Sequence, residues 1–226
     1  MYYFWTVRLI RFVVIFFILA TIISGYFYPG GNIHNESQVG YSITHNFLSD
    51  LGGYQSRSNE KNFISAALFN TSMILFAFVG IAFLFVPRLF KDNFINYVLS
   101  TIGSLFFFLG TIFFAGVGLT PHDLFLENHI FFALNAFRFL IPALIFYFIV
   151  LLRSSLHNKY AITIIILLIF TFSYVLYQLV SASPLESVDK MVEQAIFQKI
   201  IALVNVISIF SLSFAFSERL KKLNLD

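Results

Sequence analysis

The sequence predicts an all-α integral membrane protein, a bundle of six transmembrane helices with a short interfacial helix in the first extracytoplasmic loop. Three observations carry this expectation. The chain is 59% hydrophobic and only 11% charged, where an ordinary soluble domain carries about 25% charged residues. It holds six apolar runs, near Leu9–Tyr28, Phe63–Val86, Phe94–Leu119, Ile130–Leu152, Ala161–Ser181 and Ala195–Phe216. Each is close to the roughly 20 residues that cross a hydrocarbon core. Its cations also alternate from loop to loop. Together the runs occupy most of the chain and define a single domain, 1–226.

That alternation predicts sidedness. The N-terminus has Arg8 and Arg11, Arg88 and Lys91 follow the second run, Arg153 and Lys159 follow the fourth, and Arg219, Lys221 and Lys222 follow the sixth. The other three loops hold only Arg57, Lys61 and Lys190. The positive-inside bias then puts both termini in the cytoplasm of a plasma (inner) membrane, with loops one, three and five outside. Arg8 and Arg11 ahead of an apolar run also fit a signal peptide. The run is long, however, and no A-x-A-like site follows, which favours a signal anchor. The sequence has no cysteine, so disulfides, thiol catalysis and cysteine-ligated zinc are excluded. A net charge of +3 is explained by cations at membrane ends and implies no nucleic-acid partner.

Taken in order, the elements place the polar residues. Loop one, Pro29 to Asn62, opens on the turn signal Pro-Gly-Gly. Within it Ile43, Phe47, Leu48 and Leu51 fall on one side of a helical wheel and His45, Asn46, Ser49 and Asp50 on the other, before Gly52 and Gly53. An interfacial helix with its polar side toward water or a pocket is expected; sealing the bundle is the alternative use. The third run carries Ser100, Gly103, Ser104, Gly110, Thr111 and Gly116, small residues that let helices approach closely. Thr120-Pro-His-Asp123 reads as a capping box opening the fourth helix, with His122 and His129 then on one face.

Chemistry-bearing residues gather toward one side. His45, Asp50, His122, Asp123 and His129 supply enough nitrogen and oxygen donors for zinc, although their spacing matches no metal motif. Arg138 lies well inside the fourth run, where a cation is costly and by default functional. Asn135 and Pro142 flank it at one turn. The fifth run carries Tyr174, Gln178 and Ser181, and the sixth carries Gln194, Gln198 and Asn205 with Lys199 beside them. Helix-bridging polar contacts alone explain such stripes at roughly 0.6 kcal/mol each. Their coincidence in the outer half predicts an outward cavity instead.

At these residues the chain resembles the DUF998 family of multi-pass prokaryotic membrane proteins, whose activity is not established. The match is carried by Ser49-Asp-Leu-Gly52, by Gly118-Leu-Thr-Pro-His-Asp123 with His129, and by Gln198-Lys199. Family members often have an aromatic residue before the proline and arginine at the last position, where this chain has Thr120 and Lys199. A more distant similarity is to ceramidase-type membrane hydrolases, whose histidine pair four residues apart is missing here.

The leading expectation is an outward cavity for a lipid head group or small anion. Arg138, Lys199, Gln198, Asn135, Gln178 and Tyr174 would bind it, and His45, Asp50, His122, Asp123 and His129 would form the rim. A zinc-dependent hydrolase acting on lipid is the second reading. A scaffold for another membrane protein is the third.

Overall fold

The computed structural model describes residues 1–224. A π-helical turn, Phe4–Leu9, leads into α1 (Ile10–Phe27), followed by α2 (Phe63–Phe83), α3 (Phe94–Leu119), α4 (Leu126–Arg153), α5 (Lys159–Val180) and α6 (Val188–Lys222). With the helical turns that adjoin them, six helices are long and apolar enough to cross a membrane. The third matches its expected run in full. The sixth exceeds its run at both ends, because an apolar stretch marks what lipid would cover rather than where hydrogen bonding stops. Its start is fixed by Ser187, whose hydroxyl accepts from the Lys190 amide at 3.2 Å.

Consecutive helices pack side by side and α6 returns to α1. The small residues of α3 are buried as expected and set its spacing from both neighbours. A Cβ on Gly116 would stand 2.3 Å from the Phe132 ring of α4, and one on Gly80 of α2 would stand 1.9 Å from the Thr111 hydroxyl. Ser104 bridges three helices, donating to the Phe83 carbonyl at 2.6 Å and meeting the Tyr147 hydroxyl at 2.6 Å. Around it lies the aromatic centre: Phe83 stacks on Phe107 at 3.7 Å, with Tyr147 and Phe216 edge-on at 5.4 and 5.5 Å.

One end of the bundle is locked by charge. Arg219 is buried, donates to the Leu89 carbonyl at 2.8 Å and to Ser155 at 3.2 Å, and pairs with Asp92. This bond holds the Asp92 carboxyl below the usual carboxylate range. Arg153 donates to Asn96 at 3.1 Å nearby.

Loop one folds over the opposite end, and here the expected helix is corrected. Residues 43–45 form a turn, and only Leu48–Gly52 is helical, as a 3-10 turn. The wheel is also reversed at three positions, Ile43 being 73% exposed and Asn46 and Asp50 fully buried, while Leu51 is buried as expected. The loop packs its polar groups inward because they hydrogen-bond one another there, which a helix wheel cannot foresee.

Candidate ligand-binding site beneath loop one

The Ser49–Gly53 turn is held by side chains from three directions. From within the loop, Asp50 accepts from the Phe47 amide at 2.9 Å, Asn46 Nδ2 at 3.1 Å and Arg57 Nε at 3.0 Å. From α2, Asn62 Nδ2 donates to the Leu51 and Gly53 carbonyls, Ser65 to Leu51 and Asn70 to Gly52, all at 2.9–3.0 Å. From α6, Gln198 Oε1 accepts from the Leu48 amide at 2.7 Å, while Lys199 donates to the Asn46 carbonyl and lies over the Tyr41 ring. The Leu48 amide and the Leu51, Gly52 and Gly53 carbonyls thereby find side-chain partners.

Glycine is required where the backbones touch. A Cβ on Gly52 would meet Asn70 Oδ1 at 2.4 Å, and one on Gly53 would meet His122 Cε1 at 2.7 Å. Asp123 closes this packing from the α3–α4 loop, its two carboxylate oxygens accepting from the Tyr54 and Gln55 amides at 2.9 and 2.8 Å. The expected capping box therefore does not form. Thr120 donates back to the Gly116 carbonyl of α3 at 2.8 Å, and α4 starts only at Leu126.

His122 and His129 still come together, with ring centroids 6.1 Å apart. Both are buried. His122 lies 3.8 Å from Asp50 Oδ1, too far for a hydrogen bond, and its Nδ1 finds no partner among the described residues. Burial, then the Arg57 charge, pushes its pKa down to about 4, so the ring is neutral near pH 7. Burial and then the Asp50 charge push the Tyr28 and Tyr41 phenols up, and both stay protonated. His129 Nδ1 is 2.7 Å from the Thr120 carbonyl. A carbonyl only accepts, so the proton sits on Nδ1 and Nε2 keeps its lone pair.

Directly beneath the turn is a cavity of about 80 Å³. Its walls are Phe17, Phe69, Met73, Phe76, Phe114 and Phe137, and a polar band of Ser49, His129, Gln198 and Asn205 crosses it. Asn205 Oδ1 is buried and has no hydrogen-bond partner among the described residues. Such an acceptor costs about 1–3 kcal/mol unless something donates to it.

The remaining expected residues lie elsewhere. Arg138 is exposed on the outer surface of α4, not on a cavity floor. Asn135 donates to its own helix at the Phe131 carbonyl, 2.8 Å away. Tyr174 packs on Phe137 at 4.9 Å and lines a separate hollow between α5 and α6, and Gln178 Oε1 is buried without a partner among the described residues. His45 meets Thr44 at 2.8 Å and borders a surface hollow with His34 and Gln38. Among the described residues no three His, Asp or Glu side chains converge as metal ligands. Of the donor set expected for zinc, Asp50, His122, Asp123 and His129 stay around the loop-one turn and His45 lies apart. Arg57, read from sequence only as a loop cation, is the real partner of Asp50. The scarcity of other cations in that loop was its signal.

The fold and site together define a class, a six-helix bundle of membrane-spanning character with an apolar cavity under a folded loop. No family model, characterised sequence or solved structure matches the chain.

Proposed function

We propose that the protein is a plasma-membrane lipid-binding component whose cavity holds the polar group and adjoining carbons of a neutral lipid. The single observation that carries this reading is the unsatisfied Asn205 carbonyl in the polar band of a phenylalanine-walled cavity. The polar band offers acceptors: Asn205 Oδ1 awaits a donor, and His129, with its proton on Nδ1 toward Thr120, keeps a lone pair on Nε2. A hydroxyl or amide N–H on an alkyl chain supplies that donor and suits the phenylalanine walls.

The chemistry moves the reading away from an anion. Lys199 is spent on the Asn46 and Ala195 carbonyls, Arg57 on Asp50, and Arg138 points outward. Among the described residues no cation lines the cavity, so a phosphate there would be desolvated without compensation. The sidedness drawn from the cation alternation puts loop one outside, with the cavity beneath the outer surface. Kinship with the DUF998 family remains part of the proposal. The three segments of that resemblance meet here, Leu48 bonding Gln198 and Gly53 packing on His122.

Native mass spectrometry from mixed vesicles tests the reading. Diacylglycerol is expected to be retained in preference to phosphatidic acid of the same chains, and Ala202→Phe, which puts a ring at an α6 alanine that lines the cavity, abolishes retention. Asn205→Ala is expected to weaken it by about tenfold, the value of one hydrogen bond to a buried acceptor. Retention of phosphatidic acid instead, or no effect of Ala202→Phe, refutes it.

A further inference from the structure

Arg138 is a cation without a partner at the centre of α4. It is exposed, and among the described residues it donates no hydrogen bond, pairs with no carboxylate and covers no aromatic ring. It belongs to a stripe with Phe131 and Ile145, seven residues away on either side, both exposed. Twelve residues separate it from Leu126 and fifteen from Arg153, about 18 and 22 Å along the axis. In a hydrocarbon core about 30 Å thick that is mid-depth, out of easy reach of either head-group layer.

The backbone sharpens the point. Pro142 is inside α4, four residues after Arg138, and has no amide proton to give the Arg138 carbonyl. One spot on the helix surface therefore offers both guanidinium donors and a carbonyl deprived of its helical bond. A second copy of this chain cannot satisfy the guanidinium. The acids within its six long helices are Glu127, Asp189, Glu193 and Glu218, all near helix ends. The two nearest the middle of α6, Glu193 and Glu218, are about 18–20 Å from its centre.

We infer that the outer face of α4 around Arg138 docks a transmembrane helix of another protein that carries a carboxylate at mid-membrane depth. A carboxylate in hydrocarbon is as costly alone as the arginine, and the two are stable there only together. The bulky stripe of Phe131 and Ile145 supplies packing above and below the pair, and the α4 face is independent of the cavity.

A model helix tests this. The full-length protein, donor-labelled, is reconstituted in phosphatidylcholine bilayers with an acceptor-labelled Leu/Ala helix of about 20 residues bearing one central glutamate. Energy transfer is expected to show association at least about tenfold stronger than for the same helix with central leucine. Arg138→Leu should remove the preference, Arg138→Lys should retain part of it, and moving the glutamate two turns toward either end should lose it. An unchanged melting temperature for Arg138→Leu confirms that the variant is folded, as a surface substitution should be. Equal association of the glutamate and leucine helices overturns the inference. So does Arg138-dependent retention of phosphatidylglycerol without any preference for the glutamate helix.

Discussion

Asp50 shows how a single residue organises the mouth of the cavity. It is 1% exposed and accepts three N–H bonds, one from an arginine that keeps 33% of its side chain in water. Breaking a fully buried pair costs about 3–5 kcal/mol, and partial exposure of Arg57 reduces that. Asp50→Ala is expected to lose about 2–3 kcal/mol, read as a lowered melting temperature in detergent. His122 gives a pH dependence of definite sign. Its folded pKa of about 4 lies below the ordinary 6.5, so the unfolded chain binds the proton more readily. The stability from a neutral His122 is fully present above about pH 6.5 and is lost as pH falls through about 4, a change on the order of 3 kcal/mol. The protection factors of the Tyr54 and Gln55 amides against hydrogen exchange, referenced to the intrinsic rate at each pH, should therefore fall across that window, since both amides are packed beside His122 through Asp123. His122→Phe should flatten the response.

At the scale of elements, close helix approach decides which glycines matter. A Cβ on Gly118 of α3 would stand 2.6 Å from the Asn70 carbonyl and 2.9 Å from Met73 Cβ in α2, atoms with little freedom to yield. Gly118→Ala should push α2 from α3 and cost about 1–3 kcal/mol. A Cβ on Gly25 in α1 meets only the Tyr41 ring at 3.6 Å. Gly25→Ala should be neutral or stabilising by about 0.5–1 kcal/mol. Thermal unfolding of the two variants side by side checks the contrast. These helices were legible in the sequence because apolar runs and small-residue spacing are local signals. Loop one was not. A wheel assigned Asn46 and Asp50 to the water side, yet their neighbours in space are Gly31, Arg57 and Lys199. Those partners lie 15, 7 and 153 residues away, at separations that share no common period, so no periodicity reports them. The capping box failed for the same reason, since the Asp123 carboxylate is claimed by amides 68 and 69 residues earlier.

At the scale of the whole molecule, three places along the bundle gather polar groups. One end is closed by Arg219, Asp92, Arg153 and Asn96, the other by loop one, and between them the cavity keeps only Ser49, His129, Gln198 and Asn205. The sequence grouped Arg138, Lys199 and Asn205 by depth, but depth along a helix does not say which way a side chain faces. Rotation sends Arg138 outward and Asn205 inward, and that difference is what favours the proposed neutral-lipid reading over an anion site. Photolabelling of the full-length protein in vesicles, with a diazirine-bearing diacylglycerol and then the matching phosphatidic acid, tests this most directly. The expected result is saturable labelling by the diacylglycerol at Met73, Phe137 or Val206, suppressed in Ala202→Phe, and none there by phosphatidic acid. Labelling confined to perimeter residues such as Ile145 or Leu203, or unaffected by Ala202→Phe, would contradict it.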